Sequence, residues 1–313
     1  MADRDPLGIA HAIEEEPMLD GVMLLWFLLT AASLLFVVID IRTTPESPVM
    51  KWGFVLLTAY TGVIGAFLYV LGCREPLPGT HEQYTAAQWR QTLGSAMHCV
   101  AGDGIGIIAG AVIASVFGIT GLAEAGLEYF LGFAFGWPIF QALFMRDMAG
   151  GSYTRALRST FLSELLSMNL LMAGMIPTVM ILRRYVEAAG DPTSPRFWFV
   201  MSMGLLVGFV IAYPMNWWLV ANHLKHGMMT VRPASAPAAM AHGGAGMDMG
   251  GAGMDMGRSA TGGHHSGGHA SQGGGRMSHM SMEAGHKPRP PLPVMTVLSF
   301  IALAIGLAIA LWA

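Results

Sequence analysis

The chain has 313 residues, of which 53% are hydrophobic and only 12% are charged, with a mean hydropathy of +0.51. A soluble globular domain carries about 25% charged residues, so an ordinary soluble fold is excluded and a bilayer is indicated. The net charge of -3, spread over scattered residues, excludes a nucleic-acid partner, and two cysteines alone, Cys73 and Cys99, exclude a disulfide framework.

The tail over 1–18 is acidic, and the apolar run after it is too long for a signal-peptide core, so the tail reads as uncleaved. A transmembrane helix needs about 20 mostly apolar residues. Runs of that kind fall at 19–41, 51–73, 96–118, 125–145, 160–182, 197–221 and 293–312. The expected fold is therefore an all-α integral membrane protein of about seven transmembrane helices. Five parts follow: the tail, a two-helix hairpin over 19–73, a central four-helix bundle over 90–228, a low-complexity loop over 229–291, and a last helix over 292–313.

Lys and Arg in the loops set orientation. With an odd number of crossings ahead of each, Arg42, Lys51, Arg183, Arg184 and Arg196 share one face. The richer face holds Arg74, Arg90, Arg146, Arg155, Arg158, Lys225, Arg232, Lys287 and Arg289. This count puts the N-terminus and the long loop together on the cytoplasmic side of the bacterial inner membrane.

Inside the central helices, ionisable groups are expensive and mark function by default. The third run contains MHCVAGDGIG, which places His98, Cys99 and Asp103 within about one and a half turns. Gly94, His98, Gly102, Gly106 and Gly110 recur every four residues beside them, a stripe of small residues that lets another helix approach closely. Glu128 leads a second stripe with Gly132 and Gly136, and Glu164 aligns with Met168 and Met172. Thiol, imidazole and carboxyl groups together suit a soft metal ion. The same groups also serve as interhelical hydrogen-bonders, and methionine in an apolar helix serves as filler.

At the end of the sixth run, NWWLVANHLKHGMM sets His223 and His226 three residues apart, followed by Met228 and Met229. Two readings stay open here: a relay between loop and core, or an interfacial anchor built on Trp217, Trp218 and the basic residues.

Beyond it the composition turns to Gly, Ala, Ser, Met and His, which cannot bury enough apolar surface to offset chain entropy, so a disordered segment is expected. GAGMDMG occurs twice in tandem, giving Met247, Met249, Met254 and Met256. His264, His265 and His269 follow, and RMSHMSM adds Met277, His279, Met280 and Met282. Thioether sulfur selects Cu(I) and, by analogy, Ag(I). Copper or silver is therefore the expected ligand, with zinc the alternative for the His-rich half and a biased Gly-rich linker the bland alternative.

The segments HCVAGDGIG, FGWPIF, SELLSM, DPTSPRFW and YPMNWWLVANHLKHGM together resemble an uncharacterised bacterial integral-membrane domain family, one of the domains of unknown function, over residues 90–228. The resemblance implies a fold rather than an activity. His98, Cys99, Glu164, Ser167, Asn216 and His226 match its pattern, while Asp103, Asn169 and Trp217 depart from it. Beyond lipid and metal ions, the expected partner is a copper chaperone or copper enzyme. No nucleotide fingerprint, nucleophile elbow or HExxH motif points to an enzyme, and the expected function is copper or silver homeostasis, with a scaffold presenting the loop to a partner or a membrane-embedded redox enzyme using Cys99 as the alternatives.

Overall fold

A computed structural model describes residues 6–143, 152–228 and 290–312, with backbone alone for 6–17. Among the described residues the fold is entirely helical: α1 (Pro6–Asp40), α2 (Pro48–Thr61), α3 (Val63–Gly72), α4 (His81–Thr85), α5 (Gln88–Phe117) and α6 (Leu122–Phe135). A π-helix (Gly136–Gln141) follows, then α7 (Tyr153–Tyr185), α8 (Pro195–Ala221) and α9 (Leu292–Trp312). Except for Pro290 and Pro291, the expected Met/His/Gly-rich loop lies outside the described residues.

Five of these helices are long and apolar enough to cross a membrane: α1 from Met18, α5, α7, α8 and α9. Their starts carry local signals. Ser194 Oγ accepts from the Arg196 amide ahead of α8, with Pro195 in the first turn, and Ser152 does the same for Arg155 ahead of α7. Leu24, Leu28 and Leu35 of α1 and Val297, Ile301 and Ile305 of α9 are exposed, an outward apolar face that fits lipid rather than water. The protein associates with the bilayer through these surfaces.

The expected crossing over 51–73 is not what the chain does. Its apolar residues fold as two short helices that reverse at Gly62, where φ is 60° and ψ is -132°, a conformation open to glycine. The end of α3 returns to the start of α2. Tyr69 Oη lies 2.8 Å from Thr44 Oγ1 and donates to Asp40 Oδ2 at 2.8 Å, and Arg74 Nε reaches the same carboxylate at 2.8 Å.

This is a re-entrant hairpin about 21 Å deep, the length of a 14-residue helix. Such a reversal survives at membrane depth only when protein covers it. Here Gly53 lets Met97 of α5 pack against α2, and a Cβ on Gly62 would meet Thr30 Oγ1 at 2.6 Å. Thr58 and Thr61 donate to the Phe54 and Leu57 carbonyls at 2.8 and 2.6 Å, so their hydroxyls are satisfied within α2.

The expected fourth crossing is also composite, because α6 runs directly into the π-helix. Among the described residues, the helices long and apolar enough to cross a membrane are therefore α1, α5, α7, α8 and α9, with α6 and the π-helix packed between α5 and α7. One face collects the Asp20 end of α1, the start of α6, the end of α7 and the start of α8, tied by Arg196–Asp20 at 3.0 Å and Arg183–Glu124 at 2.6 Å. The opposite face holds Asp40, Arg74, the start of α5 and the end of α8.

Within the bundle, α5 approaches α6 closely because of its glycine stripe. Added Cβ atoms at Gly106 and Gly110 would strike the Leu131 carbonyl and Glu128 Cα. Asn169 of α7 is the polar clamp of three helices, accepting from Tyr129 Oη at 2.7 Å and donating to Ser299 Oγ at 3.1 Å. With Gly306 seated on Ala173, this contact makes α9 parallel to α7.

Candidate functional site

The spacing of His98, Cys99 and Asp103 on α5 turns all three toward the bundle interior, where each is buried. Glu164 comes to them from α7. Cys99 Sγ donates to Glu164 Oε2 at 3.0 Å, and the Asp103 and Glu164 carboxyl groups are adjacent, hydrogen-bonding to each other only when one keeps a proton.

The π-helix completes the enclosure. Pro138 has no amide hydrogen to give to a regular ladder, and the wider π register tolerates that loss. Gly136 sits where any side chain would collide: its Cβ would strike Asp103 Oδ1 and lie 3.2 Å from Glu164 Oε1. One turn on, Phe140 meets the His98 ring edge-to-face at 5.9 Å, and Gln141 hydrogen-bonds to that ring.

The closing member is Lys225, which the sequence offered only as one basic residue near a helix end. After α8, His223 takes a positive φ of 57° and the chain folds back over the bundle. Lys225 then points inward, its Nζ donating to Glu164 Oε2 at 3.0 Å and to Cys99 Sγ. Its side chain is 1% exposed and that of Glu164 is 0% exposed. Burial alone lowers a lysine pKa, yet the Cys99 sulfur and the Glu164 carboxylate hold this one above the usual lysine range.

Three residues later Met228 is also buried. It packs against Gly94, lies 3.6 Å from where a Gly72 Cβ would stand, and its carbonyl accepts from Gln91 Nε2 at 3.1 Å. The root of the Met/His-rich sequence is thus fastened into the bundle.

Beside the cluster lies a purely polar chain: Ser95 Oγ donates to Asn216 Oδ1 at 3.2 Å, and Asn216 Nδ2 donates to Ser167 Oγ at 2.8 Å. These contacts fix α5, α7 and α8 around the ionisable groups.

Chemically, the cluster sets one ammonium against a thiol and two carboxyl groups in an enclosure shut off from the surface. Charge balance there requires one negative group, because an unpaired buried charge costs several kcal/mol. Such a site can exchange its resident cation for another, or move a proton among its acids.

The structure thus brings His98, Cys99, Asp103 and Glu164 together and adds Lys225. Glu128 does not join them. It lies about 12 Å further along α6, eight residues from Gly136, beside the Glu124–Arg183 ion pair. His223 and His226 are exposed on the segment that carries Lys225, outside the cluster. Met168, Met172, Met175 and Met201 belong to the apolar core. Met229, Met247, Met249, Met254, Met256, His264, His265, His269, Met277, His279, Met280 and Met282 lie outside the described residues.

Residues 88–225 match a family model described as "Domain of unknown function (DUF4396)". That stretch starts with α5 and ends on Lys225, so it contains every member of the buried cluster and leaves out α1 to α4 and α9. No curated protein and no solved structure matches the chain.

Proposed function

We propose that this is a polytopic bacterial inner-membrane protein of soft-metal homeostasis, which collects Cu(I) or Ag(I) on its Met/His-rich loop and exchanges it with the buried cluster. The observation that carries the reading is Lys225, a cation held on a thiol and a carboxylate by the chain segment that leads into the Met/His-rich sequence. A metal ion entering that place substitutes one positive charge for another, so the enclosure stays balanced when the lysine withdraws. Thioether and thiol donors favour Cu(I) and Ag(I) over harder ions, while the histidines of the loop also suit zinc.

The hairpin supports an orientation opposite, at the N-terminus, to the one expected from seven crossings. Because α2 and α3 return to their own face, Arg42 and Lys51 join Arg74, Arg90, Arg155, Arg158 and Lys225. That face is the cytoplasmic one by the positive-inside rule, and the Asp20 end of α1 lies on the other side. Loop metal then comes from the cytoplasm, from a copper chaperone, or is passed to a copper enzyme.

Titration of the full-length protein in detergent with Cu(I) against Zn(II) tests the reading: tighter Cu(I) binding is expected, and equal or weaker binding overturns it. A second reading also draws on Lys225. If the ion pair never opens, it serves as a lock, and the bundle is an anchor presenting the loop to a partner. A thiolate-to-Cu(I) absorption band on adding Cu(I) to the folded protein, lost in Cys99→Ser, separates the two, since in the folded protein only exchange puts metal on that sulfur.

A further inference from the structure

A second group of donor atoms lies at the mouth of the re-entrant hairpin, outside residues 88–225. Glu46 comes from the turn before α2, Cys73 from the end of α3, and His81 is the first residue of α4. His81 Nε2 stands 3.8 Å from Glu46 Oε1 and 3.9 Å from Cys73 Sγ, and one donor atom of each of the three lies within 4.8 Å of the others. All three are buried, with the Glu46 and His81 side chains at 0% exposure. The approach of His81 is fixed by its backbone amide, which donates to Glu75 Oε1 at 3.0 Å.

We propose that Glu46, Cys73 and His81 form a three-donor site for a divalent ion of the zinc class. The donor set is the borderline mixture of sulfur, nitrogen and oxygen that zinc takes in tetrahedral sites. With bonds of about 2.3 Å to sulfur and about 2.0–2.1 Å to nitrogen and oxygen, tetrahedral donors stand roughly 3.3–3.6 Å apart, so the two His81 distances need contract by only a few tenths of an ångström, while Glu46 and Cys73, within 4.8 Å of each other, close by up to about 1.3 Å.

Charge also fits. A thiolate and a carboxylate carry two negative charges and a neutral imidazole none, so a dication leaves the buried site neutral. Binding expels the thiol proton to solvent, and no electron moves. The ion clips together the two ends of the hairpin and the start of α4, which no single backbone element does. This site is independent of the soft-metal reading, since it shares no residue with the loop or with the Cys99 cluster.

The probe is Co(II) added to the full-length protein in detergent. Cys73 and Cys99 are the two thiols of the chain, so a near-ultraviolet thiolate-to-cobalt charge-transfer band names its own ligand. The expected result is one equivalent of such a band, abolished by Zn(II), absent in Cys73→Ser and kept in Cys99→Ser. A folded protein with no band, or a band lost in Cys99→Ser and kept in Cys73→Ser, overturns the proposal. Should Cys73→Ser fail to give a monodisperse protein, His81→Gln carries the test through Zn(II) competition. It is expected to weaken binding by at least roughly tenfold, and unchanged binding overturns the proposal.

Discussion

Lys225 Nζ and Glu164 Oε2 lie 3.0 Å apart although 61 residues separate them in the chain, and both side chains are shut away from solvent. The pair joins the middle of α7 to a segment that has already left α8. Breaking a buried pair by removing one partner leaves an uncompensated charge, whereas replacing both is far less costly. Lys225→Met and Glu164→Gln are each expected to destabilise the folded state by about 3–5 kcal/mol. Combining them should cost less than the sum, and thermal unfolding in detergent of the four proteins checks this; strict additivity would show that the contact contributes nothing.

The pH dependence of that pair has a definite sign. A lysine held above its ordinary value of 10.5 contributes stability that is fully present below 10.5 and lost as pH rises beyond it. The stability gap between wild type and Lys225→Met should therefore stay constant from neutral pH up to about 10.5 on the lysine side and close only above it. Unfolding temperatures measured across that range test it.

Two glycines in consecutive elements should respond oppositely to alanine. Gly136→Ala drives a Cβ into the Asp103 carboxyl group and is expected to cost about 1–3 kcal/mol, the usual penalty of overpacking. Gly126 in α6 has nothing within 4 Å of its added Cβ, so Gly126→Ala should gain up to about 1 kcal/mol from helix propensity. Equal effects would show that the π-helix does not press on the acidic groups.

The hairpin is open to a topological test. Arg42→Cys and Arg74→Cys should react with a membrane-impermeant maleimide from the same side, and Arg184→Cys from the opposite one. Native Cys73 and Cys99 are buried and give little background. Labelling of positions 42 and 74 from opposite sides would mean that α2 and α3 cross after all.

Hydropathy found every apolar run but could not see direction. The stretch over 51–73 has the composition of a crossing, and its reversal depends on one positive φ at Gly62 together with the cover given by Trp26 and Thr30. The α5 stripe was legible because four-residue spacing is a local property, and so was the inward turn of His98, Cys99 and Asp103. Lys225 was not, because a basic residue after a helix reads as an interfacial anchor until the chain is known to fold back at His223. The π-helix is hinted at only by the Gly and Pro of GWP. Glu46, Cys73 and His81 come from three separate polar connections, and nothing in their spacing announces that they meet.

One consequence of the α8–α9 arrangement concerns economy of connection. Leu292 and Met295 at the start of α9 pack on the same small cluster as Met215, Trp218 and Leu219 near the end of α8. Neighbouring helix ends on one face are ordinarily joined by a turn of about 2–8 residues. The stretch from 229 to 291 is therefore far longer than the architecture demands, and its length answers to something other than joining two helices. Excising residues 230–286 should leave the bundle assembled, with an unfolding temperature close to that of the full chain, while stripping away the capacity that those residues alone provide.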